Sequence, residues 1–534
     1  MKIYYSEHDI PADLSSDFLV FLPDHYGKGF SYLWDDYGYK TTFRVYFVHK
    51  KTNFDLGFAK ILFKNKTNSH EFIKNTFPEV NGIYVLSNLR HYEFVSIGSE
   101  ITYYRRLNKY FNNNKHINTY LKLINDACYL KFNGDDYTSW NGFKDSLLRD
   151  SSGTSILEKG YAIAKGNYKH LEKFTFSVDT PFKKNLSFSF DRKDQLSGNI
   201  NLIIGKNGNG KTATLQNISD IFVGLKRNIE SWPYFNKLIV VSFSPFENFY
   251  SESELRRMLS HEEEIEERPD LINEYTYVGL KSSSSRFDLS SIKEKSARSY
   301  IDAIKYDRAN SWWAPTSKIN LIDETLKQAM KYSSISFRGL DGKLIKSECI
   351  YNDFTLIDKV DFSHGLIFLT KDEKEMKLSS GQMIYSLFTP RIVSEIKEES
   401  LILIDEPELY LHPELEVGLI SMLKVILRDT KSFAIVATHS SVIAREVKSD
   451  YIHVIRDSLE IEQPEVETIG NSLDRITGEI FGDYDIEKPF QKMIDDILSN
   501  SKDIDKTIEA LTSEFGSKGI SYIYELKRKR KLND

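Results

Sequence analysis

The stretch IIGKNGNGKTATLQ (Ile203–Gln216) places a glycine-rich loop between two segments of different periodicity. The segment before the loop, Asn201–Ile204, is typical of a short buried strand, and after the loop apolar residues recur at helical spacing. The loop itself fits G-x-x-x-x-G-K-[ST] at every position. Strand, glycine loop and helix in this order predict an α/β domain that binds nucleotide phosphates.

The chemistry of phosphate binding assigns roles within the loop. Glycines let backbone N–H groups converge on phosphate oxygens, and the N-terminus of the following helix favours negative charge. Lys211 is expected to neutralise the β- and γ-phosphates, and the Thr212 hydroxyl to bind Mg²⁺. The residues expected to contact the nucleotide here are Gly205, Asn207, Gly208, Asn209, Gly210, Lys211, Thr212 and Ala213.

An acidic pair follows a second apolar segment, in LILIDEPELYLHPE (Leu401–Glu414). Four consecutive apolar residues indicate a strand that is buried on both faces, as in a parallel sheet. Asp405 at its end is expected to hold Mg²⁺ through water, and Glu406 to orient or deprotonate the attacking water. A third strand, in SFAIVATHS (Ser432–Ser440), ends near His439, which we interpret as a sensor of the γ-phosphate.

The segment LSSGQ (Leu378–Gln382) lies about twenty residues before the acidic strand. It resembles the L-S-G-G-Q signature of ABC ATPases, with Ser380 in place of a glycine. In that class the signature of one subunit closes over the nucleotide of another, so the resemblance implies ATP-dependent, head-to-tail homodimers or higher assemblies. It also implies that four signature residues contact nucleotide, namely Ser379, Ser380, Gly381 and Gln382.

Two features distinguish relatives within this class. Transporter heads usually carry a glutamine after the strand that here reads KLIVVSFSPFENF (Lys237–Phe249), where only Ser244 or Asn248 could substitute. DEPELYLHP (Asp405–Pro413) instead resembles the DEPE-x-x-LHP pattern of RecF-like and OLD-type ATPases, which handle DNA or guard bacteria against phage. The resemblance extends to the ATPase component of Septu-type anti-phage systems, and it implies a separate HNH-type nuclease as partner. The alternative is a RecF-like clamp that acts on DNA directly.

Nuclease residues within this chain are not expected. Asp483 and Asp485 follow no apolar strand, and Glu395 with Lys397 is interpreted as a solvated helix face. The basic run Lys527–Lys531 could contact DNA phosphates or could be a solvated helix end.

Composition limits the remaining classes. The 534 residues are 40% hydrophobic and 13% aromatic, with a net charge of −6, which indicates folded domains without an overall nucleic-acid signature. Two cysteines give no disulfide framework, and neither a secretory signal nor a membrane-spanning run is present. We expect a soluble, cytoplasmic protein that has no membrane partner.

The chain is expected to be an ABC-type P-loop ATPase head with an inserted helical or lid region, an α+β N-terminal domain and a helical C-terminal tail. The predicted divisions are residues 1–165 (an α+β domain without assigned role), 166–246 (ATPase lobe with the glycine loop), 247–345 (insertion), 346–450 (ATPase lobe with signature, acidic strand and His439) and 451–534 (helical).

Overall fold

The computed structural model describes residues 2–531 apart from 12–16, 26–37, 88, 112, 131–135, 149–150, 227–231, 245–248, 260–274, 280–287, 312–316, 482–488 and 502–503. The chain divides into two compact units, Met1–Gly470 and Asn471–Asp534. The first unit contains both large sheets, and the elements of the second that the structure describes are helices.

The N-terminal part of the first unit is a mixed sheet with helices packed against it. Its elements are β1 (Lys2–Ser6), β2 (Phe18–Pro23), β3 (Thr42–His49), β4 (Thr52–Phe63), α1 (Ser69–Thr76), β5 (Glu79–Val80), β6 (Ile83–Val85), β7 (Phe94–Gly98), α2 (Ile101–Phe111), α3 (Asn114–Leu123), α4 (Ala127–Leu130) and α5 (Ser151–Ala164). The strand order is β5-β6-β1-β2-β3-β4-β7. Strand β3 buries Phe43, Val45 and Phe47 on one face, as its alternating sequence requires. This part confirms the predicted α+β class.

Helix α5 begins in a stretch whose composition favours a loop. Asp150–Ser155 contains three serines and a glycine, yet the helix begins at Ser151. Ile156 and Ala164 of this helix are buried in the N-terminal core, and burial of that face outweighs the weak helix propensity of serine and glycine.

The rest of the first unit is built on a parallel sheet. Its elements are β8 (Lys173–Asp179), β9 (Asn185–Asp191), β10 (Ile200–Gly205), α6 (Lys211–Phe222), β11 (Leu238–Ser242), α7 (Glu252–Leu259), β12 (Tyr275–Gly279), α8 (Leu289–Asn310), α9 (Lys318–Leu326), β13 (Ser334–Arg338), β14 (Leu344–Lys346), α10 (Ser347–Asn352), β15 (Ile367–Leu369), α11 (Ser380–Glu395), β16 (Leu401–Asp405), α12 (Pro413–Thr430), β17 (Phe433–Thr438), α13 (Ser441–Ala444), β18 (Ile452–Ile455) and β19 (Ile461–Glu462). The strand order is β12-β11-β16-β17-β10-β18-β19, and only the β18–β19 pair is antiparallel.

This order decides where the site lies. Strand β17 lies between β16 and β10, with Asp405 opposite Ala437 and Ile204 opposite Thr438. Since neighbouring parallel strands end at the same edge, the glycine loop, the acidic pair and His439 follow three adjacent carboxyl ends. The predicted α/β class of the nucleotide-binding part is confirmed.

Two predicted divisions differ from the structure. Residues 247–345 were expected to be an insertion, but β12 within them is an edge strand of the parallel sheet. Strand β13 pairs with β14 and with β15 across the expected boundary at 345, so these strands form one small sheet. The described part of this segment contains strands as well as helices, and elements of both kinds carry buried apolar residues.

The C-terminal region also differs from its prediction. Residues 451–534 were expected to be helical, but β18 pairs with β10 and carries buried Ile452 and Val454. Helices follow in the second unit: α14 (Leu473–Phe481), α15 (Pro489–Ser499), α16 (Ile504–Glu514) and α17 (Ser517–Lys531). Ile494, Leu498 and Ile523 form part of the small core of this unit.

A buried ion pair joins the two sheets of the first unit. Lys159 on α5 donates to Glu399 Oε2 at 2.7 Å, and the Glu399 side chain is fully buried. Glu399 also accepts from the Tyr168 hydroxyl at 2.7 Å and from the Leu171 backbone N–H at 2.6 Å. Because Glu399 lies just before β16, the N-terminal part is attached to the strand that ends in the acidic pair.

Candidate functional site

The glycine loop leads from β10 directly into α6. Gly208 and Gly210 have φ angles of +85° and +78°, which favour glycine. A Cβ at Gly210 would lie 2.8 Å from the Phe182 ring, so this ring lies close to the loop. Asn209 is buried, and its side-chain amide donates to the Ile455 carbonyl at 3.0 Å. Asn207 and Ala213 are exposed at the same loop, where they could meet a ligand.

Lys211 begins α6 and is only 4% exposed. Its Nζ donates to the carbonyls of Gly205 at 2.9 Å and Lys206 at 3.1 Å, and it lies 3.0 Å from His439 Nε2. Burial lowers the pKa of Lys211, although the nearby carboxylates oppose this. The ammonium group is therefore held inside the loop, facing the strand ends.

Thr212 and Asp405 form a second contact across the site. Thr212 Oγ1 lies 3.0 Å from Asp405 Oδ1 and 2.9 Å from Oδ2. Asp405 is 1% exposed, and burial raises its pKa to about 7 despite the hydrogen bond from Thr212. A hydroxyl and a carboxylate held together provide oxygen ligands of the kind that Mg²⁺ prefers.

Glu406 adopts a left-handed conformation, with φ +46° and ψ +54°. This conformation is uncommon for a residue with a side chain, and such strain is concentrated at functional sites. Glu406 Oε1 lies 3.4 Å from His439 Nε2, and its side chain is 25% exposed. The predicted catalytic pair, Glu406 and His439, is therefore together beside Lys211.

Two residues near this cluster were not predicted. Glu408 accepts hydrogen bonds from the Thr438 hydroxyl at 2.8 Å and from the His439 backbone N–H at 2.5 Å. Burial raises the pKa of Glu408, while these hydrogen bonds lower it. Phe182, in the turn between β8 and β9, lies against Gly210 and is 40% exposed. The repeated acids of DEPE were a signal for Glu408, whereas nothing in the sequence relates Phe182 to the loop.

The signature lies at the N-terminus of α11. Ser379 caps this helix: its hydroxyl accepts from the Gln382 backbone N–H, and the Gln382 side chain accepts from the Ser379 N–H. Ser379 and Ser380 are exposed, whereas Gly381 is buried and a Cβ there would lie 2.3 Å from Leu415. Among the residues that the structure describes, no hydrogen bond or ion pair joins these four residues to the glycine loop.

The chain is similar to one family model and to several known proteins. Residues 200–445 match the family model described as "AAA domain, putative AbiEii toxin, Type IV TA system". Protein ea59 of Escherichia phage lambda is 28% identical over 476 residues, covering 84% of each chain. Septu protein PtuA of Bacillus thuringiensis is 25% identical over 276 residues, covering 45% of this chain and 66% of that protein. The SMC head domain from Thermotoga maritima is 11% identical, with a TM-score of 0.26, over 55% of this chain and all of that one.

The AAA family match over residues 200–445 and the similarity to Septu protein PtuA agree with the ATPase class that the motifs predict. Within this match the loop, the acidic pair and His439 are assembled in one chain.

Glu395 lies at the end of α11, where its side chain is 36% exposed and is paired with the buried Lys237. Asn248 lies outside the described residues, as do Asp483 and Asp485, and Lys527 and Arg528 lie near the end of α17. In the described ranges, no helix has the length and apolar character needed to cross a membrane.

Proposed function

We propose that this ATPase domain binds ATP with Mg²⁺ and hydrolyses it at the cluster of Lys211, Thr212, Asp405, Glu406 and His439. The observation that carries the proposal is the convergence of these five side chains on three adjacent strand ends. Such a cluster offers a cation for phosphate charge, a metal-binding pair and a carboxylate for water.

Lys211 is the cation that meets the phosphates. Its ammonium donates to two loop carbonyls and lies beside His439. ATP oxygens would be stronger acceptors for this ammonium than the neutral carbonyls, because a phosphate oxygen is itself ionised. His439 Nε2 lies 3.0 Å from this ammonium, so a phosphate bound by Lys211 would also lie near the imidazole.

Thr212 and Asp405 fit a magnesium ion. Their oxygens are already within 3.0 Å of one another, and both belong to the hard oxygen type. Magnesium usually takes few protein ligands and completes its shell with phosphate oxygens and water. When bound, the ion would neutralise charge on the β- and γ-phosphates.

Glu406 is the carboxylate assigned to the attacking water. Its side chain is partly exposed, and its Oε1 lies 3.4 Å from His439 Nε2. Glu408 is less suited to this role, because each of its oxygens already accepts a hydrogen bond from Thr438 or His439. The geometry therefore separates two glutamates that stand in one motif.

Two chains are proposed to pair head to tail on ATP. Ser379 and Ser380 are exposed at a helix N-terminus, which favours a phosphate brought by a second copy. Leu409 and Tyr410 are 48% and 43% exposed, and the Tyr410 backbone lies beside Gly381. Closure would bury this apolar pair together with the signature.

Hydrolysis is tested by measuring phosphate release and nucleotide binding for two variants. Lys211→Ala should lose ATP binding or hydrolysis, because the phosphates lose their buried cation. Glu406→Gln should bind ATP and release phosphate at least about a hundredfold more slowly, because the amide cannot accept a proton. Turnover at the wild-type rate in Glu406→Gln would contradict the assignment.

We further propose that the ATPase gates a separate nuclease of the HNH type in cytoplasmic anti-phage defence. The similarity to Septu protein PtuA supports this role. A RecF-like clamp that acts directly on DNA is the alternative, for which Lys527 and Arg528 on α17 offer positive charge.

The partner is tested by a pull-down from the native host with tagged Glu406→Gln protein, held in its ATP state. We expect a stoichiometric nuclease in the eluate, and its amount should fall in the Lys211→Ala control. Recovery of DNA without a protein partner would contradict the effector proposal and favour the clamp. A membrane protein in the eluate would contradict both and indicate transport.

A further inference from the structure

The turn Thr438-His439-Ser440 is held by side chains from the segment that follows the acidic pair. Glu408 accepts from both the Thr438 hydroxyl and the His439 backbone N–H, at 2.8 and 2.5 Å. Thr438 Oγ1 in turn accepts from the Ser440 backbone N–H at 3.0 Å. Glu408 thus holds the His439 N–H directly and the Ser440 N–H through the Thr438 hydroxyl.

The other end of this turn is held by a second carboxylate. Glu416, on the first turns of α12, is 7% exposed and accepts a hydrogen bond from the Ser440 hydroxyl. The same hydroxyl caps α13 by accepting from the backbone N–H groups of Val442 and Ile443, at 3.1 and 3.2 Å. Threonine and serine therefore each donate and accept here, which an apolar residue of the same size would not do.

Both carboxylates come from a short segment whose start is tied to Glu406. The Leu409 N–H donates to the Glu406 carbonyl at 3.3 Å, and the Glu406 N–H donates to the Ala437 carbonyl at 2.9 Å. The Glu406 N–H therefore bonds the start of this segment to β17, and Glu408 bonds the segment to the turn that follows β17. The positions of Glu406 and His439 are set by one connected network of hydrogen bonds.

We infer that Glu408 is a positioning residue for ATP hydrolysis, which holds the His439 backbone so that the imidazole lies between Lys211 and Glu406. The inference rests on the proposed ATPase function and adds a residue to its site. Glu416 supports the same turn from α12. Glu408 itself does not touch the reacting atoms, because both of its oxygens are occupied by donors of the turn.

A purely structural role would have a different consequence from a positioning role. A residue that only stabilises the fold lowers the melting temperature and leaves the turnover of the folded fraction unchanged. A residue that sets the place of His439 lowers kcat even in folded protein, because displacement of about 1 Å costs up to a hundredfold. ATP binding, which depends on the glycine loop and Lys211, should change little.

The test compares Glu408→Ala with Glu408→Gln, using Thr438→Val and Thr438→Ser as a second pair. Glutamine keeps an oxygen for the His439 N–H and a polar group for Thr438, and serine keeps the hydroxyl that donates to Glu408. Alanine and valine remove these groups. The measurements are kcat and KM for ATP, the Kd for ATP by titration at equilibrium, and the melting temperature.

We expect Glu408→Ala and Thr438→Val to lower kcat about tenfold to a hundredfold, with the Kd for ATP within about threefold of wild type. Glu408→Gln and Thr438→Ser should keep most of the turnover. In a His439→Ala background, Glu408→Ala should lower kcat by less than about twofold, since both changes disable one unit.

The inference is overturned if the wild type and folded Glu408→Ala hydrolyse ATP equally fast. It is also overturned if Glu408→Ala lowers kcat as much in the His439→Ala background as it does in the wild type. A loss confined to melting temperature or to ATP binding would also overturn it. If Glu408→Ala does not fold, the Thr438 pair decides between the same outcomes. Absence of hydrolysis in the wild type, or unchanged hydrolysis in Glu406→Gln, would instead refute the proposed function on which the inference rests.

Discussion

Lys211 shows at the scale of one residue what a motif does and does not reveal. The pattern G-x-x-x-x-G-K-[ST] assigns a phosphate-binding role to this lysine, because the spacing places it at the start of a helix. Its neighbour His439 lies 228 positions further along the chain, and the 3.0 Å distance between them depends on the order of strands in the sheet. Local roles could therefore be predicted from the sequence, whereas contacts across strand ends could not.

Asp126 is a second residue whose environment the sequence did not reveal. It is fully buried in the N-terminal core, where it accepts hydrogen bonds from the Tyr104 hydroxyl at 2.9 Å and the Cys128 N–H at 3.0 Å. Burial raises its pKa from 3.8 to about 7, although these hydrogen bonds oppose the shift. The folded state therefore binds a proton that the unfolded state has released above pH 4.

A raised carboxyl pKa makes stability fall as pH rises. The contribution is fully present below the unfolded pKa and is lost as pH rises through about 7. We expect wild type to lose about 3 kcal/mol between pH 5 and 8 relative to Asp126→Asn, which cannot ionise. Urea unfolding of both proteins at the two pH values measures this difference.

The control is Asp372→Asn, which removes an exposed carboxylate. If wild type and Asp126→Asn show the same change in unfolding free energy between pH 5 and 8, the account of Asp126 is wrong. If Asp372→Asn alters the pH dependence of the unfolding free energy as Asp126→Asn is expected to do, burial of the carboxyl group is not the cause of that pH dependence.

At the scale of elements, strands with a clear pattern were predictable and elements defined by packing were not. The strands before the glycine loop and the acidic pair are runs of apolar residues, which a buried parallel sheet requires. Helix α5 begins with serines and a glycine, and its position is set by the core that it covers. Strands β12 and β18 were missed because pairing partners supplied by β11 and β10 are distant in sequence.

Helix α11 leads to a prediction at this scale. Ser379 both caps the helix and is exposed at its N-terminus. Ser379→Ala should destabilise the protein by about 1 kcal/mol through loss of the cap, with partial loss of turnover. Ser379→Arg loses the same cap and adds bulk and charge that should prevent closure, so turnover should be abolished while ATP binding by the monomer remains.

Phosphate release and ATP titration on the two Ser379 variants separate these effects. Loss of ATP binding in Ser379→Arg would show that the signature acts on its own subunit's nucleotide, which contradicts the trans arrangement. Equal turnover in the two variants would show that closure does not bring this position to the nucleotide.

At the scale of the whole molecule, the N-terminal sheet and the ATPase sheet are attached through Glu399. The partners of this buried carboxylate include Lys159, Tyr168, His170 and Leu171, and none of them belongs to a recognised motif. Removal of one partner would leave an uncompensated buried charge and should destabilise the protein. The resemblance to ATPases did not extend to residues 1–165, yet the structure joins them to the strand that carries Asp405 and Glu406.

The most direct test of ATP-driven pairing is the molar mass of Glu406→Gln protein by light scattering, with Mg²⁺ and with or without ATP. We predict a mass near 62.0 kDa without nucleotide and at least twice that value with ATP. Lys211→Ala in the Glu406→Gln background should stay at the lower mass under both conditions. A mass that does not change when ATP is bound would contradict the head-to-tail closure.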